Sequence, residues 1–419
     1  MRVAIQTMGS RGDVQPYLAL AVGLLQRGHR VQLVAPEQFA PLAARAGIPF
    51  VGLSPGFLAL VDTGEGKAVL GGHSRLKAGL ALLRRARPML QRLWEEQWAA
   101  ARAFVPDLVV YHPKALAALP IAERLGVPAI LAAPLPGFTP TAAFPTPVLP
   151  FASLGILNRA SHRISMQGAQ LLFGRMLRDW RARALGLQGR SARAGPVATL
   201  YAYSRHVVPV PPDWSDPTVL VSGYWFLPDA SGWQPSRALE AFLSRGEPPV
   251  YVGFGSMPGA HPQRFATLVA HGLARAGKRG LIATIGGAVA FEAAPPHVHV
   301  ITDAPHDRLF GLVSAALHHG GAGTTAASLR AGLPTIVCPF FGDQPFWGRQ
   351  VARLGAGPPP LDRKRLDPET LGEAFRATDG PGMRRRAAEI GTKLTDEDGV
   401  MAAIAFLEKH ADPRYPAAP

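Results

Sequence analysis

A short apolar strand that runs into a glycine turn and then into a helical segment occurs twice in the chain. The first copy is Val3–Met8 with the turn Gly9–Pro16, and the second is Pro249–Ser256 followed by a helix-like Gln263–Ala276. This βαβ rhythm predicts parallel sheets covered by helices. We therefore expect an α/β protein with two Rossmann-like, doubly wound parallel-sheet domains that face each other across a cleft.

The stretch between the two copies, Trp225–Pro235, is rich in proline, glycine, serine and aspartate and has no strand or helix periodicity. We expect an N-terminal domain of residues 1–230 and a C-terminal domain of residues 231–419, whose last helix can pack back on the first domain. Ligands of such sheets bind at the carboxyl ends of the strands, so the cleft is the expected site. The other segments predicted by apolar runs are the strands Val31–Ala35, Leu108–Tyr111, Ala129–Ala132, Ile282–Ile285, Val298–Thr302, Ala315–His318 and Thr335–Cys338, and the helices Val14–Gln26, Pro41–Ala46, Asp307–Val313, Thr324–Ala331 and Phe346–Leu354.

Basic residues outnumber acidic ones by 44 to 29, which gives a formal net charge of +15. Such a charge suits nucleic acid, an anionic membrane surface or a phosphorylated small molecule. Most of the excess lies in two helical-looking insertions, Arg75–Arg102 and Arg159–Arg193. Neither follows a helix-turn-helix or an aromatic-interleaved strand pattern, which argues against nucleic-acid binding.

The single cysteine, Cys338, excludes internal disulfides and a cysteine-based zinc site and fits a reducing compartment. The apolar stretch Met1–Gly9 is too short for a secretory signal, so the mature chain is expected to begin here. No window of about 18 residues is free of both charge and proline, which argues against a spanning helix. We expect a cytoplasmic protein.

The strongest local motif is His318-His319-Gly320-Gly321-Ala322-Gly323-Thr324-Thr325, between a predicted strand and a predicted helix. Glycines let backbone N–H groups approach an anion, the helix N-terminus adds a positive dipole end, and His319 and Thr324 can donate hydrogen bonds. The motif therefore predicts a phosphate site. The alternative is a tight turn with Thr324 as the N-cap, and His318 is expected to be packed.

Two further loops follow predicted strands. Gly9–Pro16 has G-x-x-G spacing, which lacks the dinucleotide fingerprint, and its Asp13 is either a helix cap or a carboxylate base facing the cleft. Asp343 and Gln344 stand beside aromatic residues, which suits sugar hydroxyls, or else form a capped turn. Asp396-Glu397-Asp398 is expected to be a solvated turn, and no metal site is supported.

Together with Gly253-Phe254-Gly255-Ser256-Met257, these motifs resemble the GT-B nucleotide-sugar glycosyltransferases of the UDP-glycosyltransferase superfamily, in particular sterol 3-beta-glucosyltransferases and bacterial antibiotic-aglycone glycosyltransferases. The resemblance is specific over about Pro249 to Gly348 and looser over 50–215. It implies inverting transfer of a hexose, with UDP-glucose favoured and thymidine donors open, to a hydroxyl of a hydrophobic acceptor such as a sterol or a natural-product aglycone. It implies no metal and no cofactor beyond the donor substrate.

The resemblance also implies roles for single residues. Asp13 stands at the place of the catalytic base, and His112 falls near the partner aspartate of the plant enzymes. Plant relatives carry a base-stacking tryptophan where this chain has Asp303. The residues implied to bind the donor are Gly255, Ser256, His306, His319, Gly321, Gly323, Thr324, Asp343 and Gln344.

Two other functions stay open at this stage. The first is a basic nucleic-acid-binding protein, and the second is a non-catalytic partner that binds sugar nucleotides and uses Asp13 only as a cap. The sequence of residues 50–215 contains no pattern that identifies the acceptor, and no part of the sequence indicates an oligomeric state.

The two basic insertions also carry apolar residues, which suits peripheral contact with an anionic membrane on its inner face. The alternative is a solvated helix whose apolar side packs on the domain. The apolar residues in question are Leu80, Leu82, Leu83, Leu90, Leu93, Trp94 and Trp98 in the first insertion, and Leu171, Leu172, Phe173, Leu177 and Trp180 in the second.

Overall fold

The protein is described from a computed structural model, which describes residues 1–55, 75–189, 195–228, 232–257, 259 and 261–411, without the side chains of 75–85 and 169. Two parallel sheets organise these residues, as expected for two doubly wound α/β domains. Leu80, Leu82 and Leu83 lie outside the described side chains.

The first sheet has seven strands in the order β3-β2-β1-β4-β5-β6-β7, all parallel. The central strand β1 places Ile5 opposite Leu33 on one side and Val110 on the other. All three side chains are buried, because a parallel sheet covered on both faces needs apolar residues throughout. The strands are β1 Arg2–Gln6, β2 Arg30–Pro36, β3 Phe50–Leu53, β4 Leu108–Tyr111, β5 Ala129–Ala133, β6 Ala198–Tyr201 and β7 Val219–Val221.

The second sheet has five parallel strands in the order β10-β9-β8-β11-β12. In both sheets the first strand of the domain lies inside the sheet and the strand order reverses beside it. This is the switch point at which ligands bind in such folds. The strands are β8 Val250–Gly253, β9 Gly280–Ala283, β10 Val298–Ile301, β11 Ala315–His318 and β12 Thr335–Val337.

Helices cover both sheets. In the first half they are α1 Arg11–Gln26, α2 Ala40–Arg45, α3 Arg75–Phe104, α4 Ala118–Leu125 and α5 Asn158–Leu185. In the second half they are α6 Arg237–Leu243, α7 Pro262–Arg275, α8 His306–Leu309, α9 Ala322–Arg330, α10 Gln344–Arg353, α11 Pro368–Ala377, α12 Pro381–Thr395 and α13 Gly399–Ala411. None of the described helices is long and apolar enough to cross a membrane.

The two halves share buried apolar surface. Tyr201, Tyr203 and Trp214 from the first half form one cluster with Phe346 and Trp347 from the second. The last helix, α13, returns to the first half and packs on α1. Its Ile404 and Leu407 are fully buried in the core of the first sheet. Folding of the two halves is therefore coupled through packing.

Two sequence-based interpretations can be compared with the structure here. The described parts of the basic insertions form most of α3 and α5, and Leu90, Leu93, Trp94 and Trp180 are buried in one shared core cluster, on which the partly buried Trp98, Phe173 and Leu177 also pack. These contacts fit the alternative in which the apolar side of each helix packs on the domain. The expectation of a solvated turn is wrong for Glu397, because both its carboxylate oxygens are shielded from solvent and burial raises its pKa.

Candidate active site

Asp13 lies at the start of α1, just beyond the carboxyl end of β1. The helix begins after Ser10, so Asp13 is the third helical residue rather than the N-cap itself. Its Oδ2 accepts a hydrogen bond from the Ser10 backbone N–H at 2.8 Å and one from the Ser10 hydroxyl at 3.1 Å. Gly9 has φ of +128°, and a Cβ there would lie 2.2 Å from the same oxygen. Only glycine fits beside this carboxylate.

His112 contacts the carboxylate from the end of β4. Its Nδ1 accepts the Lys114 backbone N–H at 3.1 Å, so the proton of the neutral ring is on Nε2. That nitrogen lies 3.3 Å from Asp13 Oδ1. Burial lowers the pKa of His112, against the opposing effect of Asp13. The structure thus brings together the two residues named as the catalytic pair, with the imidazole neutral and donating to the carboxylate.

Lys114 completes the cluster and was not singled out in the sequence. Its Nζ lies 2.8 Å from both oxygens of Asp13, and its side chain is half exposed. Burial alone would raise the pKa of Asp13, but the hydrogen bond from His112 and the charge of Lys114 bring it far below its ordinary value. Asp13 is therefore a carboxylate at every physiological pH. No sequence signal links residues 101 positions apart, so only the fold reveals this contact.

The glycine-rich loop after β11 presents His319 and the start of α9. Gly321 is the N-cap, so Thr324 lies inside the first turn and is not the cap. The His319 ring lies between two turns, because a Cβ on Gly321 would be 2.5 Å from its Nε2 and one on Gly255 would be 3.2 Å from its Cε1. Burial lowers the pKa of His319 to about 4. Its Nδ1 is buried without a hydrogen-bond partner among the described residues.

Other loop residues divide into packed and accessible ones. His318 is packed as expected, with Nδ1 accepting the Gly320 N–H and Nε2 bonded to the Ser328 hydroxyl. Gly323 and Ser256 are exposed, and Thr324 is half-buried. An unpartnered imidazole nitrogen beside a helix N-terminus and an accessible hydroxyl suits an anionic ligand.

Asp343 and Gln344 lie at the start of α10. Asp343 Oδ2 accepts the indole N–H of Trp347 at 2.7 Å, which leaves Oδ1 able to accept a sugar hydroxyl. Burial raises the pKa of Asp343, and the negative charge of Asp13 adds to this effect. Gln344 is buried, and its amide oxygen accepts the backbone N–H groups of Phe340 and Phe341. Its free capacity is limited to the amide nitrogen, which lies 3.4 Å from Met257 Sδ.

The loop after β10 joins the two halves. Asp303 Oδ2 pairs with Arg11 Nη1 at 3.1 Å across the cleft, and both side chains are about half exposed. His306 stacks on Phe310, lies 3.3 Å from the Tyr251 hydroxyl, and has its pKa lowered to about 4 by burial. The place of the plant tryptophan is thus held by an ion pair rather than by an aromatic face.

A small apolar indentation of about 10 Å³ lies beside the Asp13 loop, at the carboxyl ends of β1, β2 and β3. It has room for about one water molecule, which is too little for a sterol-sized ligand. It is formed by Met8, Gly9, Pro36, Leu53, Ser54, Pro55 and Leu93. Within the described part of the chain, no group of three or more histidine, cysteine, aspartate or glutamate residues could hold a metal ion.

Comparison with known proteins matches both halves of the chain. Residues 3–144 match the glycosyltransferase family 28 N-terminal domain, and residues 282–398 match the C-terminal domain of erythromycin biosynthesis protein CIII-like proteins. The glycotransferase of kitacinnamycin has the same fold, with a TM-score of 0.73 at 19% identity over 98% of this chain and 99% of its own. Fold and cleft together define a GT-B glycosyltransferase.

Two relatives of known activity show to which family of glycosyltransferases the chain belongs. A sterol 3-beta-glucosyltransferase of Arabidopsis thaliana is 35% identical over 431 residues, which covers 99% of this chain and 69% of that protein. The chain belongs to the sterol 3-beta-glucosyltransferase family. A sterol 3-beta-glucosyltransferase of Emericella nidulans is 36% identical, but the chain spans only 29% of its length. This membership argues against the nucleic-acid-binding alternative.

Proposed function

We propose that this protein is an inverting, metal-independent hexosyltransferase that moves glucose from UDP-glucose to a hydroxyl of a sterol or other lipid-like acceptor. TDP-sugars are the alternative donors, and the reaction needs no cofactor beyond the donor. Membership of a family whose named relatives glucosylate sterols supports this choice.

Asp13 acts as the general base in this proposal. It takes the proton of the acceptor hydroxyl as the oxygen attacks the anomeric carbon, on the side opposite the departing diphosphate. His112 positions the carboxylate by donating Nε2–H to Oδ1. Lys114 occupies both oxygens in the donor-free protein and must turn away, which also makes the carboxylate more basic.

Hydrogen-bond donors and the N-terminal dipole of α9 stabilise the negative charge of the leaving diphosphate. An imidazole N–H of His319, the Thr324 hydroxyl and the backbone N–H groups at the start of α9 can all donate to it. The neutral state of His319 leaves it able to bind a proton as the dianion arrives. Asp343 Oδ1 holds a sugar hydroxyl. On this account, chelators leave the rate of transfer unchanged.

The observation that carries the proposal is an ionised carboxylate, held by His112, on a helix that packs against α9, the helix that begins at the phosphate-type loop. The test is a screen with UDP-glucose and TDP-glucose against sterols, polyketides and flavonoids, with products detected by mass. Their anomeric configuration is then read by NMR. A β-glucoside from the α-linked donor is expected.

Asp13→Asn supplies the matched variant for this screen. The amide oxygen can still accept the Ser10 N–H, so the loop and the donor affinity should persist, while turnover falls roughly 100-fold or more. Near-normal turnover in this variant would show that Asp13 is only a cap. Donor hydrolysis without transfer to any acceptor would contradict the proposed reaction.

We place the enzyme in the cytoplasm, in peripheral contact with the inner face of the membrane. A lipid-like acceptor resides in a bilayer, and the excess positive charge of the first half favours an anionic surface. Of the apolar side chains that the sequence suggested for this contact, Leu171 and Leu172 are exposed.

A further inference from the structure

Helix α5 has apolar residues on two opposite faces. One face packs on the domain through Phe173, Met176, Leu177 and Trp180, in the cluster that contains Trp94. A helix whose inner face is already packed normally shows polar residues to solvent. The opposite face of α5 carries exposed aliphatic side chains as well as polar ones, and packing within the domain does not explain them.

This second surface is a line of exposed aliphatic side chains. Leu157, which caps the helix, is 58% exposed, Ile164 is 68% exposed and Leu171 is 85% exposed. Their seven-residue spacing is two helical turns, so they lie on one side of the helix over about 21 Å. Ile156, 97% exposed, and Leu172, 56% exposed, widen the strip. We call these five residues the outer face.

Arginines surround the outer face. Arg175 and Arg178 follow Leu171 by four and seven residues, which places them on the same side of the helix, and both are exposed. Arg163 is exposed next to Ile164. The whole of α5 carries six arginines against the single acid Asp179. This pattern is typical of a helix that lies on a bilayer surface. The apolar side chains contact the acyl chains, and the arginines contact the anionic headgroups.

We propose that the outer face of α5 docks this enzyme on an anionic lipid bilayer. A second copy of the chain fits less well, because a symmetric contact would bring the two arginine-rich faces against each other. The anionic headgroups of a bilayer neutralise the same arginines. Docking here deepens the proposed function and rests on it, since the bilayer is where a lipid-like acceptor is found.

The position of this surface in the fold supports the same conclusion. The segment that leads into α5 lies against α10, where Arg349 donates to the carbonyl oxygens of Pro150 and Phe151 at 2.8 and 3.0 Å. Helix α10 starts at the Asp343–Gln344 loop of the candidate active site. Phe151 is itself half exposed. This segment therefore connects the N-terminal end of the outer face, through α10, to the candidate active site.

The test is sedimentation of the full chain with large vesicles, without donor or acceptor. Vesicles of phosphatidylcholine with about a third phosphatidylglycerol are compared with pure phosphatidylcholine, at low and at high salt. The wild-type protein should pellet with the anionic vesicles at low salt and return to the supernatant at high salt, because the arginine contribution is screened. Protein that stays in the supernatant with anionic vesicles at low salt overturns the proposal.

The decisive variant is the triple change Leu157→Glu, Ile164→Glu and Leu171→Glu. This variant should lower the vesicle–water partition coefficient at least about tenfold. Three aliphatic side chains that would be buried in the lipid are lost, and three negative charges face the anionic headgroups instead. The matched control puts the same three charges at exposed aliphatic positions elsewhere, with Val105→Glu, Val210→Glu and Met401→Glu. It should bind as the wild type does, and equal binding by both triple variants overturns the proposal.

Two further measurements separate this inference from the proposed function. Transfer to a detergent-solubilised acceptor should be the same in the wild type and in the outer-face variant, because none of the three changed side chains is among the described contacts of Asp13 or His319. Transfer by a wild type that ignores vesicles overturns only the docking surface, whereas vesicle binding without transfer to any acceptor overturns only the proposed function. A wild-type dimer that the outer-face variant converts to a monomer, with no vesicle binding, assigns the face to a second copy instead.

Discussion

At the scale of single residues, Lys114 controls how basic Asp13 is. Its Nζ contacts both carboxylate oxygens, and it is the group that can leave, because its side chain is half exposed while His112 is buried. In Lys114→Met the pKa of Asp13 should rise, since burial then opposes ionisation with less compensation. The base works only when ionised, so activity should fall at a higher pH than in the wild type as the solution is acidified.

The measurement is the acid limb of kcat/KM against pH for the wild type, Lys114→Met and Lys114→Arg. The Lys114→Arg variant keeps the positive charge, so its kcat/KM should begin to fall at the same low pH as that of the wild type. The Lys114 backbone N–H, which orders His112, is unchanged in all three proteins, so a shift reports on the side chain alone. Superimposable acid limbs would show that Lys114 does not tune the base.

His319 gives a second residue-scale prediction, in the proton balance of nucleotide binding. Burial holds its pKa near 4 in the donor-free protein, so the ring is neutral at pH 6. A diphosphate dianion beside it favours the charged ring and raises that pKa. UDP affinity should therefore increase as pH falls towards 4, with net proton uptake on binding.

Calorimetry with UDP at pH 6, in two buffers of different ionisation enthalpy, measures this uptake. His319→Gln serves as the reference, because it keeps a donor but cannot take up a proton, and the titration of UDP itself is common to both proteins. Equal proton uptake in the two proteins would place the diphosphate away from His319.

At the scale of secondary-structure elements, the first turn of α9 allows a matched pair of glycine substitutions. Gly323 and Gly382 are both the second residue of their helices, and a Cβ on either would meet nothing within 4 Å. Alanine at each position should leave stability unchanged or raise it by up to about 1 kcal/mol. If the diphosphate approaches the α9 backbone, only Gly323→Ala should weaken UDP binding, by roughly tenfold.

UDP titrations and thermal unfolding of the two variants check this prediction together. Gly382→Ala controls for the general effect of alanine in a first helical turn. Unchanged UDP affinity in Gly323→Ala, with normal stability, would mean that the ligand does not reach the helix N-terminus.

A comparison of the predicted and observed strands shows which secondary-structure elements can be predicted from the sequence. The strands Leu108–Tyr111 and Ala315–His318 have the expected bounds, because buried parallel strands are short apolar runs ended by turn residues. Strands β3, β6 and β7 were not predicted, although Phe50–Leu53 and Val219–Val221 are apolar, because an apolar run of three or four residues is hard to distinguish from a buried loop segment. Strand β9 begins at Gly280, two residues before the expected start.

Residues of the candidate site could be predicted from the sequence only where a recognisable motif directly follows a predicted strand. The glycine loop after β11 and the Asp13 loop after β1 could be located from the sequence, because carboxyl ends of parallel strands meet at one edge. The contacts of Lys114 with Asp13 and of Arg11 with Asp303 span 101 and 292 residues and depend on tertiary packing. The same is true of Trp94 and Trp180, for which the sequence left membrane contact and packing on the domain open, and whose rings pack on each other.

At the scale of the whole molecule, the fold ties the stability of one half to residues of the other. Helix α13 comes from the C-terminal part of the chain but closes the core of the first sheet. Its contact with α1 is close, since a Cβ on Gly23 would lie 2.5 Å from Val400 and 2.9 Å from Ile404. The aromatic cluster between the sheets adds a second shared core. Unfolding of either half should therefore expose apolar surface of the other.

Ile404→Ala tests this coupling, with Met401→Ala on the exposed side of the same helix as its control. The buried change should lower the free energy of unfolding by about 2–5 kcal/mol, and the exposed one should alter it by less than about 0.5 kcal/mol. In urea, Ile404→Ala should shift a single transition seen alike by tryptophan fluorescence and circular dichroism. If UDP binds at the second sheet as we propose, a saturating concentration should shift that same transition back. Two transitions, of which Ile404→Ala moves one and UDP only the other, would show that the halves unfold independently despite the packing between them.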